Sequence, residues 1–83
     1  MPTLTSKPRR HARRDSDVAL LNLADQVRAA RIQSRLSQQE LALASGVGRA
    51  TVIDLENGRE GVSLGNAQRI LSSLRLKLMA AAR

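Results

Sequence analysis

Apolar residues recur at three- and four-residue intervals through most of this chain, and only near the C-terminus does the interval shorten to two. From Val18 to about Gln33, Leu20, Leu23, Val27 and Ala30 trace one stripe of a helix, with Asp17 placed as its N-cap. A second helix opens at Ser37, three residues before Glu40, the spacing at which each side chain satisfies an orphan backbone donor. Leu41, Ala42 and Ser45 fall on one side of it. Gly46 stands where a helix stops in the left-handed conformation, and Gly48 opens the next helix as a tolerated N-cap. The third helix runs from Arg49 to about Asn57. It has Val52, Leu55 and Glu56 on one face and Arg49, Ala50, Ile53, Asp54 and Asn57 on the other. Gly58 ends it.

Between Gly58 and Ser63 the stretch GREGVS reads as a loop, with Ser63 set to cap a fourth helix over Leu64 to Leu74. Leu64, Ala67, Ile70, Leu71 and Leu74 form its apolar stripe. From Leu74 to Met79 apolar and basic residues then alternate strictly, which is the period of a strand. A lone strand is not stable in water and no other strand is predicted, so its partner is expected from the same segment of a second copy. Leu74, Leu76, Leu78 and Met79 would make that contact. The opposing reading continues the helix through Ala82, because Leu, Lys, Met and Ala are good helix formers. The elements describe an all-α domain of four to five short helices with a short C-terminal strand pairing across a dimer.

Composition narrows the partners. Eighty-three residues allow one small domain, and a chain this short buries only roughly 60% of its unfolded surface, so dimerisation would add needed stability. With no aromatic residue there is no platform for stacking unpaired bases, which argues against single-stranded RNA. Cysteine is absent and His11 is the only histidine, so neither a metal site nor a cofactor is expected. A net charge of +7 favours an anionic partner. Lys7, Arg9, Arg10, Arg13 and Arg14 concentrate part of it in residues 1–17, which read as a flexible arm able to lie along DNA phosphates or simply to stay solvated. Residues 18–74 form the domain, and residues 75–83 a dimerisation tail. No run approaches a membrane span or the apolar part of a signal peptide, so a cytoplasmic protein without membrane contact is expected.

Leu36 to Gly58, LSQQELALASGVGRATVIDLENG, carries the chemistry, because two short helices joined by a tight turn make a helix-turn-helix. The second helix of such a unit fits the major groove of B-DNA, where base edges are distinguishable. Arg49 has the forked donors for guanine, while Ala50 and Ile53 suit thymine methyl groups, with Thr51 beside them. Asp54 could accept from a cytosine amino group or orient Arg49 or Arg59. Phosphate contacts are expected from Ser37 and Gln38 with their amides, from Asn57 and Arg59, and from Arg28, which the first helix turns outward. Taken singly, each polar residue has a solvated surface as its ordinary role; placement on one face carries the inference. Arg31 lies one step from the apolar stripe and calls for a partner, with Glu56 the candidate.

The same residues resemble the Cro and phage-repressor type of helix-turn-helix, the Xre family, over roughly Leu23 to Leu74. The pattern is present as Arg31, Gln38, Glu40, Leu41, Ala42, Gly46, Val47, Leu55, Glu56, Asn57 and Gly58. The resemblance implies a lambda-repressor-like fold in which Arg31 and Glu56 pair across the core. It departs at Gly48, where Ser or Thr usually caps, and in the basic arm. The tail RILSSLRLKLMA looks like the end of HipB-type antitoxins, which implies a homodimer that represses its own operon and binds a HipA-like kinase toxin.

The function expected is sequence-specific binding of a palindromic double-stranded operator by a homodimer that regulates transcription. The alternative is a protein-interaction module that neutralises a HipA-like toxin, with DNA secondary. A membrane-surface peptide is disfavoured, since the basic residues do not gather on one face of a strongly amphipathic helix. An enzyme is not expected, because no catalytic triad, metal cluster or phosphate-cradling glycine loop is present.

Overall fold

The computed structural model describes residues 15–78, with side chains from residue 18 onward. Four helices follow one another: α1 (Asp15–Gln33), α2 (Gln38–Ser45), α3 (Arg49–Glu56) and α4 (Leu64–Ser73). Helix α1 starts before the N-cap expected at Asp17. The apolar period begins only at Val18, and the helix backbone already includes Asp17.

The core takes Ala24 and Val27 from α1, Leu41 and Ala42 from α2, Val52 and Leu55 from α3, and Ala67, Ile70, Leu71 and Leu74 from α4 and its end. Leu, Ile, Val and Ala alone fill it. The stripe foreseen on α1 is only partly covered: Val27 is buried, whereas Leu20, Leu23 and Ala30 are half-buried. Leu64, assigned to the α4 stripe, is 69% exposed. It is the first residue of its helix and shares an open groove with α1, where no element among the described residues covers it.

All four helices stop in the same way. After each, one residue adopts the left-handed conformation: Arg35 (φ 62), Gly46 (φ 72), Gly58 (φ 71) and Arg75 (φ 61). The N–H of the residue that follows then reaches back five positions, as Leu36 to the Arg31 carbonyl at 3.1 Å, Val47 to Ala42 at 3.1 Å, Arg59 to Asp54 at 3.0 Å and Leu76 to Leu71 at 2.8 Å. This closure satisfies carbonyls that a helix end leaves orphaned, and an apolar residue after the left-handed one usually docks inward. Leu36, Val47 and Leu76 do so, packing against the core.

The closure at Arg75 sets the course of the tail within one chain. Residues 76–78 form no strand; Met79 lies outside the described residues. Leu74 is buried at 8% as the C-cap of α4, within the core of its own chain. Leu76 returns to the core because Arg75 turns the backbone, and the alternation of Leu and basic residues records that turn. Nor does the helix continue to Ala82 as the opposing reading had it, since α4 has already ended. The described residues thus hold four helices, at the lower bound of the four to five expected.

At the helix starts, Ser37 Oγ accepts from the Glu40 N–H at 2.9 Å while its own N–H donates to Glu40 Oε1 at 2.8 Å. Ser63 Oγ accepts from Asn66 N–H at 3.1 Å. Such caps each stabilise a helix by about 1 kcal/mol. The far ends of α2 and α4 are joined where Ser45 Oγ donates to Ser73 Oγ at 3.0 Å.

Candidate functional site

Glu56, the last residue of α3, is 2% exposed. A carboxylate at that depth persists only if donors surround it. Arg31 supplies two, with Nε 2.6 Å from Oε2 and Nη2 3.2 Å from Oε1. Gln38 Nε2 adds a third to Oε1 at 3.2 Å. The remaining Arg31 donor, Nη1, goes to the Leu36 carbonyl at 2.8 Å. From the turn before Arg31, Arg28 Nη2 donates to the backbone carbonyl of Glu56. The end of α3 is thereby tied to α1 through side chain and backbone, and to the first residue of α2.

This clamp also engages two residues expected at phosphates, Arg28 and Gln38. Arg28, its side chain 43% exposed, is bound to Asp25 Oδ1 at 3.0 Å as well as to the Glu56 carbonyl. A buried carbonyl at a helix end needs a donor more than an exposed guanidinium needs water. The signal was in the spacing, since Arg28 precedes Arg31 by one turn and shares its face. Gln38 turns its amide N–H toward Glu56, and not toward Arg49.

With Val52, Leu55 and Glu56 buried, α3 turns Arg49 and Ala50 outward, exposed, with Thr51, Ile53 and Asp54 half-buried beside them. Asn57 is exposed as the C-cap, and Arg59 Nε lies 3.7 Å from Asp54 Oδ1. The N–H groups of Gln38 and Gln39 at the start of α2, and of Arg49 and Ala50 at the start of α3, find no acceptor among the described residues. Helix starts of this kind suit an anion.

Charge points the same way. Asp25, Glu40, Asp54 and Glu56 are all engaged, whereas Arg35, Arg49, Arg69, Arg75 and Lys77 have no hydrogen bond or ion pair with their side chains among the described residues. No group of His, Asp and Glu among them could hold a metal ion, and no described helix is long and apolar enough to cross a membrane.

On another side, an open groove of about 790 Å³ runs between α1 and the start of α4, with Leu20, Leu23, Val62, Leu64 and Leu78 among its walls. Leu64 and Leu78 are exposed there.

A family model described as helix-turn-helix matches residues 27–79. Among solved structures, the restriction-modification controller protein C.AhdI from Aeromonas hydrophila is 32% identical, over 72% of this chain and 91% of that chain, with a TM-score of 0.64. A chain from a HipA-HipB-O2-O3 complex is 30% identical, over 76% of this chain and 89% of that one, with a TM-score of 0.67. A structure described as MDT Protein matches with the same figures. No curated protein sequence matches.

Proposed function

This chain belongs to the Xre-type helix-turn-helix family, and from that membership we propose that it is an autorepressing regulator that reads a palindromic operator as a homodimer. The coarser part is carried by the family: the chain is a DNA-binding transcription regulator. What supports base reading by α3 is the Glu56 clamp, which fixes α3 against α1 and α2 while Arg49 and Ala50 remain outside.

In this reading α3 lies in the major groove. Arg49 donates to guanine O6 and N7, Ala50 and Ile53 meet thymine methyl groups, and Thr51 adds a hydroxyl. The amides of Gln38 and Gln39, with Ser37, hold one phosphate, and Asn57 another, beside which Arg59 stands paired with Asp54. Two copies present two α3 helices to half-sites about 34 Å apart. The groove between α1 and α4, with Leu64 and Leu78 exposed, supports contact with a second copy, to which Leu76 and Met79 would add. The basic residues of positions 1–17 add charge directed at phosphates.

The neighbour from a HipA-HipB-O2-O3 complex favours a second reading. There the chain is a HipB-like antitoxin whose main task is to hold a HipA-like kinase toxin in the cytoplasm, with DNA binding secondary. Footprinting on the DNA upstream of the gene, at several salt concentrations, separates the two. A protected palindrome whose affinity falls steeply with salt supports the first. Tight binding of a HipA-like kinase without any preferred DNA sequence supports the second.

A further inference from the structure

Asp54 is the acid on the outward face of α3, and its surroundings are set by the turn behind it. The N–H groups of Asn57 and Arg59 both donate to its carbonyl, at 3.2 and 3.0 Å. Gly58 makes that return possible at φ 71, pressed so closely to α1 that a Cβ would stand 2.9 Å from Leu21 Cδ2. The turn delivers Arg59 back over Asp54, with Nε 3.7 Å from Oδ1. That separation is too long for a hydrogen bond, and the side chains are 66% and 48% exposed, so the attraction adds little to stability. Its effect falls on where Arg59 can go.

We infer that Asp54 is a specificity-determining residue whose carboxylate lowers the affinity of this domain for DNA irrespective of sequence. The inference rests on the DNA reading above. Two effects act together. The carboxylate stands beside the Arg59 guanidinium and competes with phosphate for it, and it brings a negative charge toward the phosphates that flank α3, where like charges repel. Arg49 has no such partner among the described residues, so its donors stay free for a base. A complex made through phosphates alone meets the repulsion in full. A site that sets a cytosine amino group against Oδ1 or Oδ2 offsets it with a hydrogen bond. The acid thus weakens every complex except the matched one.

The test uses the full chain and a short duplex of A·T pairs only, which offers no cytosine, titrated over about 20 to 200 mM salt. Asp54→Asn is expected to bind this duplex about tenfold more tightly at the lowest salt. Its slope of log affinity against log salt should be steeper by about one, the change for one added phosphate contact. Arg59→Ala in the Asp54→Asn background should return the slope to that of the unchanged chain. Asp54→Ser should reproduce the gain, and equal melting temperatures exclude an effect on folding. Unchanged or weakened affinity in Asp54→Asn, with the unchanged chain binding normally, overturns this inference and leaves the DNA reading intact. An unchanged chain that binds no duplex at low salt overturns both.

Discussion

Arg31 donates to both carboxylate oxygens of Glu56, a residue 25 positions further along the chain, and through them α1 grips the last turn of α3. Removing one partner leaves a buried charge without compensation. Glu56→Ala and Arg31→Ala should each lower stability by roughly 3 to 5 kcal/mol. Replacing both with apolar residues, as in Arg31→Met with Glu56→Leu, should cost much less than the sum of the single changes. Urea denaturation of the four proteins measures this; additive losses would show that the two residues do not act as a pair.

The left-handed residues give a second set of outcomes. Gly58→Ala meets a strained φ and the Leu21 side chain together, and should cost about 2 kcal/mol. At Gly46 the φ is similar but no atom lies within 4 Å of the added Cβ, so Gly46→Ala should cost nearer 1 kcal/mol. Arg35→Gly and Arg75→Gly relieve the same strain and should stabilise the domain by about 0.5 kcal/mol each, after the entropy glycine loses on folding. Thermal unfolding ranks the four variants, and a destabilised Arg75→Gly would mean that its guanidinium holds something in the fold.

Arg49 stands outside the clamp, so its removal should leave stability within about 0.5 kcal/mol. Binding is a different matter. Arg49→Ala should lose about 1 to 3 kcal/mol of discrimination at one position in each half-site. Equal weakening on every sequence, with a shallower salt slope, would show instead that Arg49 touches only phosphate.

Leu64→Ser and Leu78→Ser alter exposed residues and should change the stability of a single folded copy by at most about 0.5 kcal/mol. If the groove between α1 and α4 receives a second copy, both variants should shift sedimentation toward the monomer and weaken operator binding. Unaltered association in both would place the two-fold contact elsewhere.

Much of the fold was legible because its signals are local. Ser37 and Glu40 sit three residues apart and form the reciprocal cap; Gly46 and Gly58 mark helix ends that only a residue tolerant of positive φ can close. The same closure at Arg35 and Arg75 was illegible, because arginine carries no sign of a left-handed backbone. For that reason the return of Leu76 to the core of its own chain was not foreseen. Periodicity told which side of α4 Leu64 occupies, but not whether another element would cover it. Around the site, the outward face of α3 followed from helical spacing, whereas the inward turn of Arg28 and Gln38 depended on where Glu56 came to rest. That is a matter of tertiary placement, at which the spacing of Arg28 and Arg31 hinted and for which Gln38 carried no local sign.

Four helices that end by one shared closure also have a consequence for how the chain folds. Each stop is made within six consecutive residues, so the signals that end the helices are local even though helices this short need packing to persist. The slow step is then the mutual docking of short rods, as in other domains dominated by local contacts, with folding expected in microseconds to milliseconds. The Arg31 and Glu56 contact spans one of the longer separations in that process. If it forms late, weakening it will leave the folding rate almost unchanged and appear as faster unfolding.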